Sequence, residues 1–361
     1  MLELKSVEKT VGIETHIHPT DLTLEPGSFN ILLGTTLAGK TTLMQLMAGL
    51  ERPTSGEVWF NGKNVTGVAV QKRNVSIVYQ QFINYPNMTV YENIASPLRV
   101  ARMSGQEIEK RVGGLAEMLR ISSMLDRRPS ELSGGQQQRC AIARALAKES
   151  EMILLDEPLA NLDFKLREEL RDELPRIFQE RDCVVVYATT EPTEALLFGG
   201  KTAAMHHGRV IDFGPTGQAY RQPVNLLAAK VFSEPPINTA SITKKGARFV
   251  LNDKVHWPVP DRLKSLRDGA YTMGIRPHHV SPLKVGETPV AVEGIVHIAE
   301  LSGSESMIHF DAYGDSWVSL SHGVHPFDAG AKATLYADVS RCLYFDEDER
   351  LVAVSEQREA V

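Results

Sequence analysis

The chain has 361 residues, a length that suits a large domain with a smaller one beside it. Its 42% hydrophobic and 23% charged composition supplies a folded core and excludes a disordered polymer, while a net charge of -6 with a pI near 6.0 excludes a surface built to coat nucleic acid. Cys140, Cys183 and Cys342 are far apart and form no CxxC pair, so neither a disulfide framework nor a zinc site is expected, and a reducing cytoplasm fits.

Residues 1 to about 30 alternate apolar and polar, as at Leu2, Leu4 and Val7 and again at Leu22 and Leu24, which predicts antiparallel strands. From Ile31 the pattern changes to short buried strands followed by helices: Ile31–Leu33 then Lys40–Leu50, and Met152–Leu155 then Phe164–Gln179. This is α/β with a parallel sheet. Helical periodicity from Ser104 to Lys148, broken at Pro129 and at Gly134-Gly135, predicts an inserted helical subdomain over about 88–148 whose glycines open a new helix. The pair Pro235-Pro236 marks a boundary, so the expected domains are 1–234 and 235–361. Beyond it, Tyr271–Ile275, Val290–Ile298 and Ser306–Phe310 read as strands of a small β-barrel. No apolar run reaches membrane-span length, and Met1–Lys5 lacks the character of a signal peptide, so membrane association is expected through partner subunits only.

Gly34-Thr35-Thr36-Leu37-Ala38-Gly39-Lys40-Thr41, followed by Thr42, matches G-x-x-x-x-G-K-[ST] between a predicted strand and a predicted helix, the context a phosphate-binding loop requires. Glycines let backbone N–H groups turn inward, the helix N-terminus adds positive potential, Lys40 reaches the terminal phosphates, and the Thr41 hydroxyl faces Mg²⁺. Met152-Ile153-Leu154-Leu155-Asp156-Glu157 is an apolar strand ending in two carboxylates. Asp156 is expected on Mg²⁺, and Glu157 as the base that orients the attacking water.

Leu132-Ser133-Gly134-Gly135-Gln136, upstream of Asp156, resembles the signature of ATP-binding cassette (ABC) proteins. In that family the signature of one subunit caps ATP held by the phosphate loop of another. The two glycines permit close backbone approach, Ser133 offers a hydroxyl, and the next helix points its N-terminus at the γ-phosphate. Tyr79-Gln80 resembles the loop whose Gln senses Mg²⁺ and water, and Leu159-Ala160-Asn161-Leu162-Asp163 the loop crossing the dimer interface. The stretch from Phe82 to Asn93 resembles the surface that receives a transmembrane subunit. Gly274-Ile275-Arg276-Pro277 and Leu301-Ser302-Gly303-Ser304-Glu305 resemble the extra OB/TOBE-like β-domain of carbohydrate-importer ATPases of the maltose-transporter kind. Tyr79–Pro86 and Tyr187–Pro192 look most like an ATPase subunit of bacterial glycerol importers.

The resemblance implies ATP and Mg²⁺ as ligands, and a second, different ABC subunit as partner. It also implies two membrane permeases, an associated solute-binding protein, and a place at the cytoplasmic face of the inner membrane. Two positions depart from the pattern. Thr190 stands where members place a His on the γ-phosphate, and Val11 where they place an aromatic ring under adenine. Both losses weaken the site built on this chain's own loop while its signature is intact, which implies unequal sites in a heterodimer. His16, His18, His206, His207, His278 and His279 do not replace the lost group by sequence position. A soluble ABC protein acting on nucleic acid or ribosomes would need a second cassette or basic segments, and the chain has neither.

Overall fold

The alternating N-terminus folds as a hairpin of β1 (Leu2–Val11) and β2 (Glu14–Leu24), turning at Gly12 with φ 63°. The computed structural model describes residues 1–352 other than Phe82, Asn161 and Glu180. Next come β3 (Phe29–Leu33), α1 (Lys40–Ala48), β4 (Ser55–Phe60), β5 (Lys63–Asn64) and β6 (Val75–Val78). The helical insertion is α2 (Val90–Val100), α3 (Gly105–Met118) and α4 (Gly134–Ala147). The chain then returns as β7 (Met152–Asp156), α5 (Phe164–Gln179), β8 (Val184–Thr189), α6 (Pro192–Phe198), β9 (Lys201–His206) and β10 (Arg209–Pro215).

An antiparallel sheet of order β2-β1-β4-β5 and a six-stranded sheet of order β10-β9-β3-β8-β7-β6 result, the latter parallel except for the β9–β10 hairpin. Every residue of β3, β7 and β8 is buried. Strands covered on both faces need apolar side chains throughout, which is why these segments lack the period of two seen at the N-terminus. Leu4, Ile17 and Leu24 from the hairpin share one core with Leu43 and Met47 of α1 and with Leu154 and Val186 of the parallel sheet. The helices of the insertion start at reciprocal caps, Thr89 with Glu92, Ser104 with Glu107 and Ser133 with Gln136.

Compactness divides the chain into Met1–Gly217 and Gln218–Val361. At and beyond this division lie α7 (Thr216–Arg221), α8 (Leu226–Val231), β11 (Asn238–Lys245), β12 (Arg248–Val250), β13 (His256–Pro258), β14 (Gly269–Ile275), β15 (Val280–Ser281), β16 (Pro289–Leu301), β17 (Glu305–Ala312), β18 (Asp315–His322), β19 (Lys332–Asp338) and β20 (Leu343–Phe345). They form two five-stranded antiparallel sheets, of order β13-β12-β11-β14-β20 and β15-β19-β16-β17-β18, around one core. The Asn238 amide joins the two sheets, donating to Val318 O at 2.8 Å and accepting from Val318 N at 2.6 Å. This arrangement is consistent with the OB/TOBE-like domain expected from the sequence.

Candidate functional site

Three strand ends converge on the loop after β3. Leu33 lies in register with Thr189 on β8 and with Ala204 on β9, and Asp156 at the end of β7 is opposite Ala188. Gly34 N donates to Thr189 O at 3.3 Å, and a Cβ on Gly34 would lie 2.5 Å from Met205 O, so only glycine lets the chain leave the sheet here. The loop turns through left-handed Leu37 and Gly39, with φ of 68° and 98°. It is pinned to the β9–β10 turn by Gly208 N donating to Ala38 O at 2.9 Å.

Helix α1 opens at Lys40 with no side-chain cap and no acidic residue in its first turn. Its first internal bond runs from Leu43 N to Gly39 O at 2.9 Å, leaving the N–H groups of Lys40, Thr41 and Thr42 with no acceptor inside the helix. Orphan donors at the positive end of a nine-residue helix form an anion site whose natural complement is phosphate.

The charged groups meet in front of that helix. Lys40 is 5% exposed, with Nζ donating to Gly34 O at 2.8 Å and Thr35 O at 3.2 Å and lying 3.3 Å from Glu157 Oε1. The Thr41 hydroxyl donates to Asp156 Oδ2 at 2.7 Å, and Gln80 Nε2 donates to Glu157 Oε2 at 3.0 Å. Burial raises the Asp156 pKa and Glu157 adds to the rise, against the Thr41 hydrogen bond and the Lys40 charge. Glu157 holds φ at 46°, a sparsely populated conformation for a non-glycine residue, and its N–H donates to Ala188 O at 3.0 Å. Lys40, Thr41, Gln80 and Glu157 line a cavity of about 580 Å³ with the rest of the stretch from Thr36 to Thr42. The Thr41 and Asp156 oxygens, hard donors already side by side, fit a Mg²⁺ ion.

The other predicted site residues lie elsewhere. Ser133, Gly134, Gly135 and Gln136 form the capped start of α4, and Asp163 starts α5, accepting from Leu166 N at 3.1 Å. Thr190 follows β8 directly, and none of these six residues lines the cavity. Asn161 and Phe82, each within a stretch singled out above, lie outside the described residues. The segment expected to meet a membrane subunit is ordered by two side chains, buried Asn93 and half-buried Arg144. The Asn93 side chain binds the main chain of Tyr85, Met88 and Thr89, and Arg144 donates to Ile83 O at 2.5 Å while lying 4.8 Å from the Tyr85 ring centroid. Ile83 and Tyr85 are 53% and 49% exposed beside a cavity of about 550 Å³.

Two groups escaped sequence reasoning. The carboxylate of Glu194, 4% exposed, accepts from Tyr187 Oη at 3.0 Å and Thr189 Oγ1 at 2.5 Å and pairs with Arg171 Nη2 at 3.2 Å, which fixes the end of β8 beside Gly34. A glutamate on a short helix gives no signal of this by itself. His16 and His207 also line the cavity, although their positions in the chain gave no reason to place them there.

A phosphate cradle between parallel strands, with an Asp–Glu strand end facing it, defines a P-loop ATPase of the cassette kind. The ABC transporter family matches residues 17–160. The chain is 33% identical, over 96% of its length and 97% of the relative's, to the trehalose/maltose import ATP-binding protein MalK of Thermococcus litoralis. It is 32% identical, over 97% and 98%, to the sn-glycerol-3-phosphate import ATP-binding protein UgpC of Yersinia enterocolitica. A dimeric ATP-binding cassette solved in a post-hydrolysis state with ADP and Pi superposes with a TM-score of 0.55 at 30% identity, covering 60% of this chain and 99% of that one. The chain belongs to the ABC transporter family and is an ATP-binding ATPase subunit. Among the described residues no helix is long and apolar enough to cross a membrane.

Proposed function

We propose that this chain energises import of a small solute, glycerol or a related polyol or sugar, through two membrane permeases, and that it pairs with a second, different ABC subunit. The relatives named for sugar and glycerol-phosphate import support the solute class, and the exposed Ile83–Tyr85 segment supports a docked permease. In this reading the chain sits at the cytoplasmic face of the membrane, held there by its partners, with solute delivered by a binding protein. The folded cassette is assigned to 1–234 and the β-domain to 235–361.

At the site, the N–H groups of Gly39 to Thr42 and the Lys40 ammonium bind and orient the triphosphate. Thr41, Asp156 and Gln80 would hold Mg²⁺, which when bound would supply charge neutralisation on the phosphates. Glu157, held by Gln80 and Lys40, accepts the proton of the attacking water. Ser133, Gly134, Gly135 and Gln136 close over the partner's nucleotide, and Asp163 lies at the same interface.

The observation that carries the unequal pair is Thr190, a short hydroxyl at the end of β8 where a proton-bearing ring is needed, together with an intact signature cap. The assembled transporter tests it. Ser133→Arg places a bulky cation against the partner's γ-phosphate and abolishes most ATP turnover, whereas Glu157→Gln disables only this chain's own site and lowers turnover modestly. The reverse order would place the working site in this chain.

A further inference from the structure

The wall of the nucleotide cavity opposite the charged groups is made by two segments far apart in sequence. One is the start of β2 at Glu14 to His16, the other the β9–β10 turn at His207 and Gly208. They are clamped to each other and to the phosphate loop, since His18 N donates to Gly208 O at 2.9 Å and Gly208 N to Ala38 O at 2.9 Å. The clamp is tight: a Cβ on Gly39 would lie 3.2 Å from Gly208 Cα and 3.4 Å from His16 O. Both histidines therefore stand beside the last glycine of the loop. Val11, at the tip of the same hairpin, is 50% exposed and offers no ring.

Among the described residues lining this cavity, His16 and His207 carry the only aromatic rings. Both are exposed, which leaves their faces open to a ligand. His207 is oriented by its neighbour, for the His206 and His207 rings meet edge to face at 4.1 Å between centroids and 71° between planes. His207 also holds a left-handed φ of 43°, fixed by the turn it occupies. Stacking on a nucleobase needs a flat ring with an open face, and imidazole supplies one as other aromatic side chains do.

We propose that His16 and His207 are the nucleobase-binding residues of this chain, taking the adenine of ATP between the β2 strand and the β9–β10 turn. The inference rests on the loop after β3 holding the triphosphate, as argued above, and adds the group that holds the other end of the same molecule. His206 acts as a positioning residue behind His207. Burial lowers the pKa of His206, and the neighbouring His207 lowers it further, which favours the neutral ring in that contact.

Two probes separate the ends of the molecule: ATP, and inorganic tripolyphosphate, which carries the phosphates without a base. With the full-length chain, binding of each is measured by calorimetry. The double variant His16→Gln, His207→Gln keeps size and polarity but removes the rings. It is expected to lose about tenfold or more in ATP affinity and nothing in tripolyphosphate affinity, while His16→Tyr retains wild-type ATP affinity. Unchanged ATP affinity in the double variant overturns the proposal. So does an equal loss for both probes, which would make the histidines phosphate contacts. A wild-type chain that binds neither probe overturns the loop assignment itself and the histidine assignment with it, an outcome distinct from selective failure of the base contact.

Discussion

Glu194→Ala removes the carboxylate that ties α6 to the end of β8. The group is 4% exposed and satisfies two hydroxyls, Tyr187 Oη and Thr189 Oγ1, besides pairing with Arg171. Breaking a buried pair from one side costs about 3–5 kcal/mol. Arg171 keeps Glu168 at 2.6 Å and also Glu191, so the lower end applies. For a unit of this size about 1 kcal/mol moves the melting temperature by roughly 2–4 °C, and the expected loss is about 6–12 °C. Calorimetry reads it in the transition that ATP shifts upward, which belongs to the cassette. Because Thr189 O accepts from Gly34 N, ATP affinity falls too. Glu194→Gln keeps an acceptor for the hydroxyls and loses less than half as much. A shift below about 2 °C for Glu194→Ala, or equal shifts for the two variants, would refute the assignment of this carboxylate as the anchor of β8.

Lys40→Ala removes the buried cation of the cavity and is expected to lower ATP affinity about tenfold to hundredfold, read by titration calorimetry, with no change in either the presence or the absence of Mg²⁺ counting against the loop assignment. Arg144→Ala frees the Ile83–Tyr85 segment; assembly with the membrane subunits weakens while ATP binding by the isolated chain stays at its wild-type value, and intact assembly in pull-down would sink the docking assignment. His279 is lowered to about 4, by burial first and then by His278 and Arg341, with Asp338 opposing. Its unfolded form takes a proton near pH 6.5 and its folded form does not, so stability of the second unit drops as pH falls from about 6.5 toward about 4. His279→Gln flattens that part of the urea-midpoint profile. Deleting the gene is expected to abolish high-affinity glycerol uptake, and unaffected uptake removes glycerol while leaving the ATPase standing.

Much of the fold was legible because its strands announce themselves. The N-terminal hairpin alternates as a one-sided sheet must, while β3, β7 and β8 are unbroken apolar runs, as strands buried on both faces must be. The phosphate loop was readable because its glycines are imposed by backbone geometry within eight residues. Thr41 beside Asp156 followed from two local motifs, and the structure brings their oxygens to 2.7 Å. His16 and His207 were not readable, since nothing local marks a residue whose role comes from a hairpin tip meeting a turn some 190 positions later. Glu194 was hidden for the same reason: its partners Tyr187 and Thr189 are near in sequence, but the geometry that points all three inward belongs to the packed helix α6. Thr190 and Val11 were visible only against the pattern of related chains.

The position of β3 in the sheet has a temporal meaning. Its two neighbours, β8 (Val184–Thr189) and β9 (Lys201–His206), are encoded far downstream of β3 (Phe29–Leu33), so the strand that carries the phosphate loop leaves the ribosome with neither edge paired. At about 5–20 residues per second, roughly 10–35 s pass between synthesis of Gly34 and arrival of Gly208. During that interval Gly34 lacks its acceptor on Thr189 and Ala38 lacks its donor from Gly208. Nucleotide therefore cannot act as a template for the nascent cassette. Its binding energy stabilises only chains whose distant strands have already closed around the first one.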